Sequence, residues 1–303
     1  MPEGHSIHRL ARQFQDVFAG HVLEVSSPQG RFTAGAALLD RHELLEATAH
    51  GKQLFLRFDH GVLLHVHLGL YGAWSFGGDE SFTGASSIGA PRRIGERESF
   101  SPEAEQGAGK GGARSYAGPP EPVGAVRVRL ISANGWADLR GATTCAAITD
   151  AEAAAVLARL GPDPLHNRPD DRDEFVRRLL RRKTAVGLLL MDQAIVAGIG
   201  NIYRAEVLFR QRVDPWTPGS SLGAETAGRL WDDTVAAMSD GVRDGRIVTT
   251  PSALWSGGNA GALDGEAHFV YKRHGQPCRR CGETVGLAEI GARKLYWCPG
   301  CQN

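Results

Sequence analysis

Apolar residues recur every three or four positions in SIHRLARQFQDVF. Ile7, Leu10, Phe14 and Phe18 share one face and predict an amphipathic helix. The period then shortens. HVLEVSS, KQLFLRF and VLLHVHLGLYG alternate or run apolar over short spans, as strands do. Between residues 77 and 124 the chain turns rich in Gly, Ser, Pro and charge, a composition with too little apolar surface to order itself, and a flexible insertion is expected there. VRVRLISANGWADL resumes the alternation, with Asn134-Gly135 as a hairpin turn. From Asp150 the pattern becomes helical. DAEAAAVLARLG starts on an Asp cap and stops at Gly161-Pro162. DEFVRRLLRRK, GLLLMDQAIV, NIYRAEVLFR and ETAGRLWDDTVAAMSDGV predict further helices, and SGGNAGALDG a loop. The expected parts are 1–145, mostly β with an N-terminal helix; 146–265, helical; and 266–303, a small terminal module.

Composition changes this picture little. A chain of 303 residues, 42% hydrophobic and 22% charged, is ordinary for a globular protein and long enough for two modest domains. No apolar run reaches the roughly 18–20 residues of a membrane span, and Glu3, His5 and Ser6 interrupt any leader-like start. A cytoplasmic protein is expected. Formal net charge is zero, which by itself argues against a nucleic-acid binder. Its distribution says more: residues 177–183 read RRLLRRK, and the last 38 residues hold six Lys or Arg against three Asp or Glu.

Four of the five cysteines fall in CRRCGETVGLAEIGARKLYWCPGC. Cys278-x₂-Cys281 and Cys298-x₂-Cys301, sixteen residues apart, have the spacing of one structural zinc site. Four protein thiolates leave no open position on the ion, so the module serves binding and not the chemical step. The intervening residues suit two strands and a turn, with Arg293 and Lys294 near it, placed for phosphate. Cys145 stands apart, in GATTCAAIT, and is expected to be a packed, inert thiol.

DQAIVAGIGNIYRAEVLF adds a connection between helices. One helix is expected to end at Gly198 and the next to begin at Asn201, a favoured N-cap, with open backbone N–H groups nearby that suit an anion. Together with PEG at the start, GPDPL at 161–165 and the cysteine module, this stretch resembles the formamidopyrimidine-DNA glycosylase/endonuclease VIII family, most closely the actinobacterial type of endonuclease VIII. The resemblance spans the chain apart from roughly residues 77–124. It implies an α+β multidomain fold: an N-terminal two-layer β-sandwich with a helix, a helix–two-turn–helix domain, and a C-terminal β-hairpin zinc finger.

The resemblance also assigns roles. Removal of Met1 leaves Pro2 as a secondary amine, the nucleophile that attacks C1′ of a damaged nucleotide. Glu3 is the matching acid and base. Lys52, in AHGKQLFL, matches a lysine on the phosphate beside the lesion, and Arg293 matches the finger arginine. His67 and Asn201 match further phosphate contacts, and Glu206 a carboxylate near the active site. Leu70 and Tyr71, in HLGLYG, match wedge residues that fill the space left by a flipped nucleotide; the family commonly has Gln before that Leu, and here Gly69 stands instead. The implied partner is damaged DNA, bound by a monomer at the bacterial nucleoid, with one structural Zn²⁺. The absence of an arginine-and-aromatic invading loop in VRLISANGWADLRG and the ending YWCPGCQ point to the oxidised-pyrimidine branch. An oxidised-purine glycosylase, a non-catalytic damage-binding protein and a transcription-related zinc ribbon remain the alternatives.

Overall fold

Residues 2–90, 118–256 and 261–303 are described by the computed structural model. The chain forms two units, Met1–Ala158 and Arg159–Asn303. In the first, helix α1 (Gly4–Val17) buries Ile7, Leu10 and Phe14, the predicted stripe, with Phe18 just beyond its end. The strands are β1 (Val22–Ser26), β2 (His42–His50), β3 (Gln53–Phe58), β4 (Val62–His67), β5 (Ala73–Gly78), β6 (Ser87–Gly89), β7 (Val126–Ile131), β8 (Gly135–Arg140) and β9 (Thr144–Thr149). Helix α2 (Thr33–Leu39) lies between β1 and β2, and α3 (Asp150–Leu157) closes the unit.

All strand pairs are antiparallel, in the order β6-β5-β8-β7-β1-β2-β3-β4-β9. Strand β1 joins the two halves, which face each other as a sandwich. Leu54, Leu56, Leu64 and Val66 point into its core with α1, where Phe14 meets Trp74 edge-on at 4.8 Å. The alternate residues Phe55 and Leu63 turn outward and are covered by Ala153 of α3, so strands β3 and β4 are buried on both faces.

The two ends of the expected insertion are ordered. Residues 77–90 finish β5 and form β6, and Gln13 of α1 clasps Ala85 through its backbone N–H and C=O. On the far side, Arg129 donates to the Pro120 carbonyl at 2.8 Å and Arg140 to that of Val123 at 2.7 Å, which pins 118–124 to the sheet. Side-chain bonds from the sheet do here what apolar burial does elsewhere. Residues 91–117 of that expected insertion lie outside the described residues. The expected boundary at 145 also moves: β9 pairs with β4 and α3 packs on it, so the first unit runs to Ala158. Helix α3 is capped by Thr149 and not Asp150, in a capping box with Glu152.

The second unit packs α4 (Asp171–Leu180), α5 (Val186–Leu189), α6 (Asn201–Arg210) and α7 (Ala224–Asp244) around Phe175, Leu189, Tyr203, Leu208 and Trp231. The helix predicted over 187–196 shrinks to α5. Asp192 accepts from the Ala194 N–H, and Gln193 bonds both Gly198 N–H and the Ile199 carbonyl. These local side-chain bonds compete with the helix and win. Strands β10 (Gly286–Ile290) and β11 (Arg293–Trp297) form the expected hairpin. The terminal module is not a separate body. Val270, Cys278, Val285 and Cys298 share a core with Ala205 and Phe209 of α6. Among the described residues, no helix is long and apolar enough to cross a membrane.

Candidate functional site

In the first unit the residues singled out by sequence gather at two places. Pro2 and Glu3 lie buried directly ahead of α1, and Glu3 is its N-cap residue, with extended backbone (φ −118, ψ 180) and its carbonyl accepting the Ser6 N–H at 3.0 Å. Helix α1 packs on β2 and β3, the strands whose connecting turn carries Lys52. His67 ends β4 and pairs with Gln53, the neighbour of Lys52. Burial, and then the positive Lys52, hold the His67 imidazole below its ordinary pKa. An ammonium and a neutral imidazole therefore stand together at one end of the sheet, a donor set that suits phosphate oxygens.

The next loop presents the wedge pair to solvent. Leu70 is 42% and Tyr71 81% exposed. Neither is the strand core residue that an apolar run suggests. Gly69 before them has φ +67, and a Cβ on it would fall 1.9 Å from Thr143 Oγ1. Both facts disfavour at this position the Gln that the family commonly has.

Two further side chains in this unit fill out the electrostatics. His5, not singled out by sequence, is buried within α1 and lies 3.2 Å from Ser6 Oγ through Nε2. Burial first, and Arg9 next, push its pKa down to about 3, so a neutral imidazole follows Glu3 by two residues. Cys145 is held as a thiol: burial pushes it up to about 12.

In the second unit, α6 and the hairpin of β10 and β11 meet. Asn201 is the first residue of α6, and Gly200, not Asn201, is the N-cap. The Asn201 amide is used across the unit: Nδ2 donates to the Lys294 carbonyl at 2.9 Å. Arg204, one helical turn on and 1% exposed, donates to the same carbonyl at 3.0 Å, to Asn201 Oδ1, and to the Gly187 carbonyl of α5. Asn201 and the exposed Arg293, next to Lys294, are thus brought together, more than 90 residues apart in sequence. Arg204 is the residue that sequence reasoning missed; its partners are mostly backbone carbonyls, which no side-chain pattern reveals.

Glu206 requires a correction. Its carboxylate is fully buried, and its two oxygens accept four bonds, from Thr249 Oγ1 at 2.5 Å and from the N–H groups of Phe269 (2.8 Å), Val270 (2.9 Å) and Tyr271 (2.8 Å). A carboxylate has about four acceptor sites. All are spent inside the unit, so Glu206 fastens the approach to the hairpin onto α6 and has no site left for DNA.

The four cysteines converge. Cys278 and Cys301 sulfurs are 3.9 Å apart, and those of Cys281 and Cys298 are 3.4 Å apart. Zinc–sulfur bonds of about 2.3 Å in a tetrahedron place sulfurs roughly 3.8 Å apart. The set fits one structural zinc, which holds the two knuckles beneath the β10–β11 hairpin.

Comparison with known proteins agrees with this architecture. Residues 1–105 match the formamidopyrimidine-DNA glycosylase N-terminal domain, 160–252 the formamidopyrimidine-DNA glycosylase H2TH domain, and 275–303 the zinc finger found in FPG and IleRS. The chain is 39% identical over 308 residues to "Endonuclease 8 1" of Mycobacterium tuberculosis, covering all of both chains. It is 32% identical to "Probable endonuclease 8 2" of Streptomyces coelicolor, covering all of this chain and 94% of that one. Two solved structures share the fold: the MutM (Fpg) protein of Thermus thermophilus, with a TM-score of 0.69 and 24% identity over 99% of this chain and 98% of that one, and Lactococcus lactis Fpg bound to AP-site DNA, with a TM-score of 0.72 and 18% identity over 99% of each.

Proposed function

From the premise that this chain belongs to the formamidopyrimidine-DNA glycosylase/endonuclease VIII family, DNA glycosylases with AP lyase activity that act in base excision repair, we propose that it removes oxidised pyrimidines and cuts the strand through an adduct at Pro2. The observation that carries the reading is the buried Pro2-Glu3 terminus on α1, packed against the strands that present Lys52.

The chemistry follows from the amine. Once Met1 is removed, the Pro2 nitrogen forms a bond to C1′ as the base leaves with the electron pair of its glycosidic bond. Glu3 protonates the ring oxygen, the sugar ring opens, and a cationic imine remains. A secondary amine leaves no N–H proton on that imine to lose, so it stays an electron sink and acidifies the C2′ proton. Loss of that proton expels the 3′ phosphate, and a second elimination expels the 5′ phosphate. Glu3 is the proton carrier in these steps. Lys52 and His67 hold phosphates beside the lesion, Asn201 and Arg293 hold them from the second unit, and Leu70 with Tyr71 occupies the vacated stack. The proposed setting is damaged DNA at the bacterial nucleoid, with the protein acting as a monomer.

The branch rests on the missing arginine-and-aromatic loop in VRLISANGWADLRG and on the ending YWCPGCQ. Oligonucleotides carrying thymine glycol, dihydrouracil or 8-oxoguanine, treated with borohydride during turnover, test it. Trapped adduct ending at Pro2, formed fastest on the pyrimidine lesions, is expected. Faster trapping on 8-oxoguanine would assign the purine branch, and no adduct from protein shown to lack Met1 would remove the Pro2 mechanism.

A further inference from the structure

Two turns of the first unit bring three metal-ligating side chains together, on residues that the proposed repair chemistry does not use. His42 opens β2 directly after Arg41, whose backbone is left-handed (φ 64). Asp59 and His60 form the β3–β4 turn. That turn is closed by the Gly61 N–H on the Phe58 carbonyl at 3.1 Å and tied to β2 by the Asp59 N–H on the Glu43 carbonyl at 3.0 Å. His42 Nδ1 lies 2.7 Å from Asp59 Oδ1, and His60 Nδ1 lies 3.3 Å from the same oxygen. The two imidazoles stack, with centroids 3.6 Å apart and planes at 23°. His60 also meets the edge of Phe58, 6.5 Å between centroids. Asp59 and His42 are each more than one-third exposed, so solvent reaches the cluster.

A surface ion pair needs one histidine. Here two rings turn the same nitrogen toward one carboxylate oxygen. The three ligand atoms already lie within 4.8 Å of one another. Metal–nitrogen and metal–oxygen bonds of about 2.0–2.2 Å set tetrahedral ligand atoms roughly 3.4 Å apart, so an ion enters as the stacked rings turn apart and each aims its in-plane Nδ1 lone pair at it. Two imidazoles and a carboxylate are the donors of late first-row divalent ions.

We propose that His42, Asp59 and His60 form a second metal site, for an exchangeable Zn²⁺, Co²⁺ or Ni²⁺, separate from the four-cysteine zinc. Three protein ligands leave positions for water, so this ion exchanges while the cysteine-bound zinc stays. Each imidazole gives up its bond to Asp59 and presents an unprotonated Nδ1, with its ring proton on Nε2.

The test uses the full chain with zinc in its cysteine site, purified without a polyhistidine tag and titrated with Co²⁺. One further equivalent should bind, with a visible d–d band and no near-ultraviolet thiolate-to-cobalt band. His60→Ala and Asp59→Asn should each weaken that equivalent at least about tenfold, since even outer partners of a ligand are worth 10–100-fold in affinity, while circular dichroism and the cysteine-bound zinc stay unchanged. A wild-type chain that takes up no second equivalent, or variants that bind it as the wild type does, would overturn the proposal. The band in the wild type needs no variant to fold.

Discussion

At the scale of single residues, groups proposed for chemistry and groups that hold the fold make different predictions. Glu3 is proposed to carry protons during base removal, so Glu3→Gln should slow base release by about 10²–10⁴-fold, the usual worth of an acid–base group, while oligonucleotide binding in gel-shift assays persists. A full rate of base release from this variant would remove its assigned role. Gly69 is set by its backbone and by Thr143. Restoring the family's usual side chain with Gly69→Gln should cost about 1–3 kcal/mol in urea unfolding, the penalty for a left-handed non-glycine residue, with the contact at Thr143 adding to it. His65, facing outward on β4, bonds Gln53 through Nε2 at 2.8 Å. Burial, with His67 nearby, pushes its pKa down to about 4, whereas an unfolded histidine takes up its proton near 6.5. Between those values the unfolded chain binds more protons, so this contribution to stability is full above about pH 6.5 and is lost as pH falls toward 4. The melting temperature should drop over that window, and His65→Gln should flatten the drop.

At the scale of elements, the link between α6 and the hairpin of β10 and β11 carries the most consequence. Glu206 ties residues 269–271 to α6, while Asn201 and Arg204 hold the Lys294 carbonyl from the helix's first turn. Arg293 is thereby presented on a hairpin whose Lys294 carbonyl is held by α6. Glu206→Gln replaces one acceptor oxygen with an amide that faces N–H donors. It should lower the stability of the second unit by about 1–3 kcal/mol, the cost of buried unsatisfied groups, and speed hydrogen exchange at the amides of Phe269, Val270 and Tyr271. Unchanged exchange at those three amides would contradict the tether. The short TCAAIT segment becomes strand β9 because β4 offers it a complete ladder.

At the scale of the molecule, the proposed DNA contacts draw on both units and on the zinc. Each phosphate contact contributes to the salt dependence of affinity, so Arg293→Ala should weaken binding to all sequences alike and lower the log–log salt slope by about one, as fluorescence anisotropy over a salt series would read. Chelation of the cysteine-bound ion removes roughly 10–16 kcal/mol of binding free energy from the module, so its hairpin should unfold and DNA affinity fall. Because Cys278 and Cys298 share a core with Ala205 and Phe209, that loss should also expose the face of α6, seen as increased dye binding. A chelated protein with unchanged affinity would show that the hairpin takes no part.

The amphipathic stripe of α1, the alternation of β3 and β4, the Asn134-Gly135 hairpin and the paired cysteines were legible in the chain. Each depends on neighbours in sequence, where periodicity, turn chemistry and ligand spacing act directly. The proposed Pro2-Glu3 chemistry came from the family resemblance and not from the dipeptide itself. Other features belong to the tertiary structure alone. The four bonds that consume Glu206, the buried Arg204 on the Lys294 carbonyl, the pinning of 118–124 by Arg129 and Arg140, and the stacked His42 and His60 on Asp59 each depend on backbone groups or turn geometry. Backbone N–H and C=O groups are the same at every position, so a sequence carries no mark of which of them a buried charge will find; only folding brings the two together.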